Sequence, residues 1–443
     1  MDAQLGDRAV ELLTALLKID TTNPPGRERP AAELLARHLA SAGVEPSVLE
    51  SAPGRANVVA RLKGTGERPP LLLTAHLDVV PADPSRWTHP PFAAEVHDGY
   101  LWGRGAIDMK NFAAMAVAVV ERLAREKTPL RRDVIFAGVA DEEAGCDYGS
   151  RWLVDQHPEL VRAECALGEV GGFSLHLFGR TFYPIQVAQK GILWMKATAR
   201  AEPGHGSMPD PRSAVAELSR AIARLSDEPL PWHRSEPTVR FLKALAAHLP
   251  APVAALLPRL ADPRVGRFLL RHAVRDPLQQ RQFTALLSNT VSPTVLRAGS
   301  KINVIPGEAT VELDGRTLPG SGPAELLREL RARLGPLVDV ELLRSDDPVT
   351  SDPGHPLFAH LSRTITAHDP TGVPVPYIIP GFTDALAFAK LGTQFYGFAP
   401  VRFDPAHKIA FGRLYHGNDE RIPVDGLRWG TTVLHDAVKG WCQ

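Results

Sequence analysis

The stretch Leu71-Leu72-Leu73-Thr74-Ala75-His76-Leu77-Asp78 decides the fold. A short continuous apolar run of this kind is typical of a strand that is buried on both faces of a parallel sheet. Ligands of open α/β sheets bind outside the carboxyl ends of the strands, where this run ends in His76 and Asp78. Because side chains alternate along a strand, these two can project to one side, with His76 binding a metal and Asp78 accepting its other ring N–H. A polar loop with no ligand is the alternative for this pair taken alone.

Apolar strands and amphipathic helices alternate on either side of this run. The predicted strands are 57–62, 70–77, 133–140 and 165–168, and the predicted helices are 8–18, 31–43 and 109–127. Alternation of this kind predicts a doubly wound α/β domain with a mixed sheet.

The pattern changes near residue 188. If the helix-rich stretch 236–290 is set aside, the predicted order from 188 to 346 is β-α-β-β-α-β, which is typical of a ferredoxin-like α+β unit. We therefore expect one domain formed by residues 1–187 and 347–443, with a second domain of residues 188–346 inserted in it.

The composition excludes several classes of function. The 443 residues include 50 Lys+Arg and 50 Asp+Glu, so the formal net charge is zero and we expect no nucleic-acid partner. No apolar segment has the length of a membrane span, so we expect no membrane partner either. Three cysteines are too few for a disulfide framework or a structural zinc module, which favours a cytoplasmic, reducing compartment.

Acidic residues and a second histidine follow other predicted strand ends and loops. In chain order they are Asp108, Glu142, Glu143, Glu169 and His416. Each position alone also fits a helix cap or a solvated loop. Like charges packed at a strand end are costly, however, unless a cation neutralises them. Two imidazoles with several carboxylates favour a zinc-type catalytic centre over a structural cysteine site.

Together these motifs resemble the M20 family of dinuclear metallopeptidases, the group of carboxypeptidases, aminoacylases, acetylornithine deacetylases and succinyl-diaminopimelate desuccinylases. The resemblance is carried, in the family's order, by residues 74–81, 87–92, 101–110, 141–145, 204–209 and 301–306. The helical stretch 236–290 resembles the long-lid branch of carboxypeptidases and acyl-amino-acid hydrolases. The resemblance makes 1–187 and 347–443 the metal-binding catalytic domain, and 188–346 a lid for substrate binding and dimerisation.

The resemblance also implies a ligand set for two divalent metal ions. Asp108 would bridge the ions, His76 and Glu169 would complete one site, and Glu143 and His416 the other. Zinc is the expected metal, with manganese or cobalt as alternatives for carboxylate-rich ligands. In relatives the peptide bond after the bridging aspartate is cis, and we expect the same here.

Other roles follow from the same resemblance. Glu142 would be the general base toward a metal-activated water, and Asp78 would orient the first histidine ligand. His205 would stabilise the oxyanion, in its own or a neighbouring subunit, and Asn303 and Arg316 would contact the substrate.

The resulting prediction is a metal-dependent hydrolase that cleaves an amide bond of a peptide or an N-acyl amino acid, with a homodimer formed through the lid. An aminopeptidase or a biosynthetic deacylase on the same fold is the alternative. A catalytically silent binding protein is a third hypothesis, and retention of every ligand type and of Glu142 argues against it.

Overall fold

The computed structural model of the protein describes residues 3–227, 229–407 and 411–443. The chain forms two compact units. The first comprises residues 1–187, 351–376 and 383–443, and the second comprises 188–350 and 377–382. The predicted boundaries were 187/188 and 346/347, and the sequence did not indicate that 377–382 belongs with the second unit.

The elements are numbered in chain order. The helices are α1 (Ala3–Leu17), α2 (Arg29–Ser41), α3 (Lys110–Arg125), α4 (Ser150–Gln156), α5 (Pro158–Val161), α6 (Ala214–Asp227), α7 (Glu236–Ala246), α8 (Ala251–Leu256), α9 (Gly266–Ala273), α10 (Pro277–Leu287), α11 (Pro323–Leu334), α12 (Pro356–His368), α13 (Ala385–Phe388) and α14 (Val424–Cys442). The strands are β1 (Pro46–Ala52), β2 (Arg55–Leu62), β3 (Leu71–His76), β4 (Val96–His97), β5 (Tyr100–Trp102), β6 (Val134–Val139), β7 (Cys165–Gly168), β8 (Leu175–Leu177), β9 (Arg180–Gln189), β10 (Gly191–Arg200), β11 (Gly204–His205), β12 (Thr290–Ala298), β13 (Val304–Ile305), β14 (Glu308–Thr317), β15 (Val338–Asp346), β16 (Val349–Thr350), β17 (Val373–Ile379), β18 (Gln394–Gly397) and β19 (Arg421–Pro423).

A mixed sheet forms the centre of the first unit. Its strands lie in the order β1-β2-β6-β3-β7-β18-β9. The neighbouring strands β6, β3, β7 and β18 run parallel to one another. The pairs β1–β2, β2–β6 and β18–β9 are antiparallel. Every residue of β3, β6 and β7 is buried, as the apolar runs predict. Helices α1, α3 and α14 pack against one another, and α3 also packs on β3 and β6.

The parallel strands place their polar ends at one edge of this sheet. Strand β3 ends at His76, β6 is followed by Asp141, and β7 is followed by Glu169. Because β3 lies between β6 and β7 and runs parallel to both, these three positions are neighbours.

A four-stranded antiparallel sheet forms the second unit. Its strands lie in the order β12-β14-β10-β15, and α6 and α11 pack on it. Counted along the chain, the four strands have the spatial order 2-3-1-4, the ferredoxin-like arrangement that the sequence predicts. Helices α7 to α10 occupy the predicted helical stretch. The predicted fold class is thus confirmed for both units.

No helix in the described parts of the chain combines the length and the apolar character that crossing a membrane requires.

Candidate active site

His76 lies at the centre of a buried group of carboxylates in the first unit. Its Nε2 is 3.1 Å from Asp108 Oδ1, 3.7 Å from Glu169 Oε2 and 3.9 Å from Glu142 Oε2. The side chain of His76 is fully buried, because it ends a strand that is itself buried. The structure therefore brings together residues from the end of β3, from the loop before α3, and from the loops after β6 and β7.

His416 lies on the other side of Asp108. Its Nε2 is 3.2 Å from Asp108 Oδ2 and 3.1 Å from Glu143 Oε2. The two oxygens of Asp108 thus face different imidazoles, His76 and His416, as a carboxylate that bridges two cations requires. The Asp108–Met109 peptide bond is cis, as the resemblance implies.

Burial and mutual repulsion shift the protonation equilibria of this group. Burial, with the charge of Glu169, raises the pKa of Glu142 well above its ordinary value. Burial also raises the pKa of Glu169 to about 8 and that of Glu143 above its usual range. Hydrogen bonds to Asp108 and Glu143 raise the pKa of His416 to about 10. Carboxylates crowded in this way favour a bound positive charge.

The donor atoms of the group fit a pair of divalent cations. Glu143 Oε1 and Glu169 Oε1 are buried and have no hydrogen-bond partner among the described residues. Two groups of three ligand atoms could each hold a metal ion, because the atoms of each group lie within 4.8 Å of one another. The first group comes from His76, Asp108 and Glu143, and the second comes from His76, Glu142 and Glu169. Imidazole nitrogens and carboxylate oxygens without thiolates are ligands of catalytic rather than structural zinc sites.

Comparison with known sequences identifies the family. Residues 72–440 match the profile of Peptidase family M20/M25/M40. The chain belongs to this family. The match confirms the predicted resemblance and the predicted enzyme class, a hydrolase of the metal-dependent peptidase and amidohydrolase type.

Several members of the M20 family resemble this chain. N-fatty-acyl-amino acid synthase/hydrolase PM20D1 of Homo sapiens is 30% identical over 84% of this chain and 74% of its own length. A probable succinyl-diaminopimelate desuccinylase of Staphylococcus epidermidis is 26% identical over 98% of both chains. Among solved structures, the M20 family metallo-carboxypeptidase Sso-CP2 of Sulfolobus solfataricus has a TM-score of 0.71 at 19% identity, and the match covers 99% of both chains.

Asp78 supports this M20 site in a different way from the one predicted. The nearest partner of His76 Nδ1 is the backbone oxygen of Asp78 at 3.0 Å, while the Asp78 carboxylate lies 3.6 Å away. That carboxylate accepts hydrogen bonds from the backbone N–H groups of Glu142 and Glu143, at 3.1 and 3.2 Å, and from Asn23. Asp78 therefore holds the turn that carries the two glutamates and orients His76 chiefly through its own carbonyl.

A network of buried charged side chains next to the turn that carries Glu142 and Glu143 was not predicted. Arg55 in β2 donates to Asp141 at 2.7 Å and to Glu28 at 2.8 Å, and Asn23 also donates to Asp141. Asp141 directly precedes Glu142 and has a positive φ of 68°, so its contacts fix the start of the turn that carries Glu142 and Glu143. No local pattern could have identified Arg55, because it lies 86 residues from its partner.

Glu420 is a second residue to which the sequence alone assigned no role. Strand β19 pairs with β5, which brings Glu420 against the glycine-rich segment before Asp108. Its buried carboxylate accepts from Arg104 Nη1 at 2.7 Å and from three backbone N–H groups, those of Gly105, Ile107 and Asp108, at 2.7 to 3.1 Å. Glu420 thus connects the Asp108 loop to the loop that carries His416.

Asp384 directly precedes α13. Its side chain makes no capping hydrogen bond and instead accepts from Ser150 Oγ at 2.6 Å. Burial raises the pKa of Asp384 to about 6.

The remaining predicted residues belong to the second unit. His205 is exposed, and its Nδ1 is 2.8 Å from Ser207 Oγ. The pairing of β11 with β13 places His205 opposite Val304, which follows Asn303 in the chain. The backbone carbonyl of Asn303 accepts a hydrogen bond from the N–H of Gly206, the residue after His205, at 2.9 Å. The structure therefore brings His205 and Asn303 together.

Arg316 lies in β14 of the second unit. It makes two hydrogen bonds to the carboxylate of Asp314, at 2.8 and 3.1 Å, and its guanidinium carbon lies 5.0 Å from the ring centre of Phe382. Arg316 Nη1 is buried and has no partner among the residues that the structure describes.

Proposed function

We propose that the protein uses two divalent metal ions to hydrolyse the amide bond of an N-acyl amino acid or peptide and release the amino acid that carries the free carboxylate. The observation that supports this most strongly is the position of Asp108 between His76 and His416, with Glu143 and Glu169 on either side. In this proposal the first unit is the metal-binding catalytic domain, and the second is the lid.

His76 and Glu169 would hold one ion, Glu143 and His416 the other, and Asp108 both. When bound, two such ions polarise the amide carbonyl and lower the pKa of a water molecule toward about 7. Zinc suits the donor set, with manganese and cobalt as alternatives.

Glu142 acts as the general base. It takes a proton from the attacking water at a carboxylate oxygen and returns it to the nitrogen of the leaving amine. Asp78 positions Glu142 through the backbone N–H at 3.1 Å. His205 supplies a donor to the oxyanion, a contribution commonly worth about 3–4 kcal/mol.

Substrate selection is assigned to the lid. The buried and unpartnered Nη1 of Arg316 supports recognition of the substrate carboxylate, with Asn303 as a further contact. The names of two relatives, an N-fatty-acyl-amino acid synthase/hydrolase and a probable carboxypeptidase S-like protein of Dictyostelium discoideum, agree with substrates that end in a free amino acid. A biosynthetic deacylase remains the second candidate, because the desuccinylase-named relative matches over 98% of both chains.

The lid is also the proposed dimer interface. Strand β12 is an edge strand of the lid sheet and most of its residues are exposed, including Leu296, whose exposed fraction is 63%. An exposed edge with apolar side chains is a template for pairing with another chain. We place the protein in the cytoplasm, since its three cysteines are free and buried.

The test compares wild type with Glu142→Gln on a panel of N-acyl amino acids and their C-terminally amidated forms. The variant should keep its metal and lose activity by about 10²–10⁴-fold. Amidation should abolish most wild-type turnover, and Arg316→Met should raise KM for the free acids only. Equal activity of wild type and Glu142→Gln would refute the proposed mechanism, and equal turnover of amidated substrates would refute carboxylate recognition.

A further inference from the structure

The first unit contains a cavity at the edge of its sheet opposite the active site. The cavity has a volume of about 420 Å³, and its lining includes Arg132 and Glu164. Arg132 lies two residues before β6 and Glu164 directly precedes β7, whereas Glu142 and Glu169 follow the other ends of these strands. The cavity is thus separate from the proposed metal site.

The lining of this cavity carries an excess of positive charge. Four arginines line it, namely Arg68, Arg131, Arg132 and Arg363, against a single acidic side chain, Glu164. We refer to it as the arginine cavity.

Two of the four arginines have their charge compensated within the protein. Arg132 forms an ion pair with Glu164 at 2.5 Å, and Arg131 forms one with Glu67 at 2.9 Å. Arg68 and Arg363 are exposed and have no side-chain hydrogen bond or ion pair to any residue that the structure describes. Two guanidinium groups therefore remain available to an anion from solution.

An ordered aromatic surface supports the cavity. The Arg132 guanidinium carbon lies 4.6 Å from the ring centre of Trp441, and Arg132 also donates to the carbonyl of Pro69 at 2.8 Å. The rings of His355 and His360 lie 6.0 and 5.8 Å from that of Trp441. Arg132 is 7% exposed, so its guanidinium is held before any ligand arrives. A preorganised arginine loses less conformational entropy on binding than a mobile one.

We propose that the arginine cavity binds a small phosphorylated anion through a diphosphate-type group. Guanidinium groups match the geometry of phosphate oxygens with paired N–H donors, and four arginines line this cavity. The volume lies within the range of about 300–1,000 Å³ that is usual for small-molecule sites. This inference does not depend on the proposed hydrolase activity.

Titration calorimetry of the metal-loaded full chain with sodium pyrophosphate at constant ionic strength tests the proposal. The variant Arg68→Ala/Arg363→Ala removes the two guanidinium groups that form no ion pair with any described residue. Its matched control, Arg37→Ala/Arg271→Ala, removes two exposed arginines elsewhere and the same net charge. Metal content is measured after each titration, so that chelation is not counted as binding.

Wild type and the control should bind pyrophosphate equally, and the cavity variant should bind it at least about 10-fold more weakly. Equal binding by all three proteins, or no binding by wild type, would overturn the proposal. A hexaglutamate peptide that binds tighter than pyrophosphate would also overturn it, since the cavity would then recognise an acidic protein segment.

Discussion

Replacement of Glu420 by alanine should damage the metal site without removing a metal ligand. The buried carboxylate accepts hydrogen bonds from Arg104 and from three backbone N–H groups, including that of Asp108. Arg104 is 2% exposed, so truncation leaves a buried guanidinium without its carboxylate. Breaking one side of a buried ion pair commonly costs about 3–5 kcal/mol. The same change frees the Asp108 loop, and loss of a group that orients metal ligands typically lowers metal affinity about 10–100-fold.

Urea denaturation, monitored by tryptophan fluorescence, measures the loss of folding stability. Competition with a metal chelator measures the loss of metal affinity. Glu420→Gln keeps one acceptor oxygen and the side-chain volume, so it should lose less stability and less metal affinity than Glu420→Ala. This variant also tests the prediction if Glu420→Ala does not fold. Glu11→Ala removes an exposed carboxylate that also pairs with an arginine, and it serves as the control. A denaturation midpoint and metal affinity for Glu420→Ala equal to those of Glu11→Ala would refute the reasoning.

Three further predictions concern His416, Lys190 and the cysteines. His416→Ala should lose one of two bound metal equivalents by elemental analysis yet unfold at nearly the wild-type temperature, because the side chain is 57% exposed; retention of both equivalents would contradict its role. Burial lowers the pKa of Lys190 to about 7, so above this pH the unfolded chain binds a proton that the folded chain does not. The free energy of unfolding should therefore rise with pH between about 7 and 10, by at most about 1.4 kcal/mol per pH unit, and an equal rise in Lys190→Met would show that another group is responsible. Burial raises the thiol pKa of Cys165 and Cys442 to about 12 and that of Cys146 well above its usual range, so iodoacetamide should label all three only in urea; rapid labelling of the native protein, seen by mass spectrometry, would be inconsistent with this structure.

The strands that the local sequence pattern predicts are those that are buried on both faces of the sheet. The apolar run at 133–140 became β6, and the run at 165–168 became β7 with the same bounds. The polar residues that end β3, β6 and β7 were predicted to meet, since parallel neighbours align their carboxyl ends. Strand β1 was not predicted, because it is an edge strand with mostly exposed or half-buried residues and has no continuous apolar signal.

The residues that support the ligands could not be predicted in the same way. Arg55 and Glu420 act through partners 86 and more than 300 residues away, and nothing in their neighbours along the chain distinguishes them from surface charges. The detailed role of Asp78 depends on the backbone path of the 142–143 turn, which only the folded chain defines. Long-range pairing of buried charges is a property of the tertiary structure, whereas strand ends and helix faces follow from local periodicity.

An anomalous difference map from a crystal grown with zinc tests the central claim most directly. We expect two peaks about 3.5–4 Å apart, one beside His76 and Glu169 and the other beside His416 and Glu143, with Asp108 between them. A single peak, no peak, or a crystal structure in which His416 lies away from Asp108 would contradict the account.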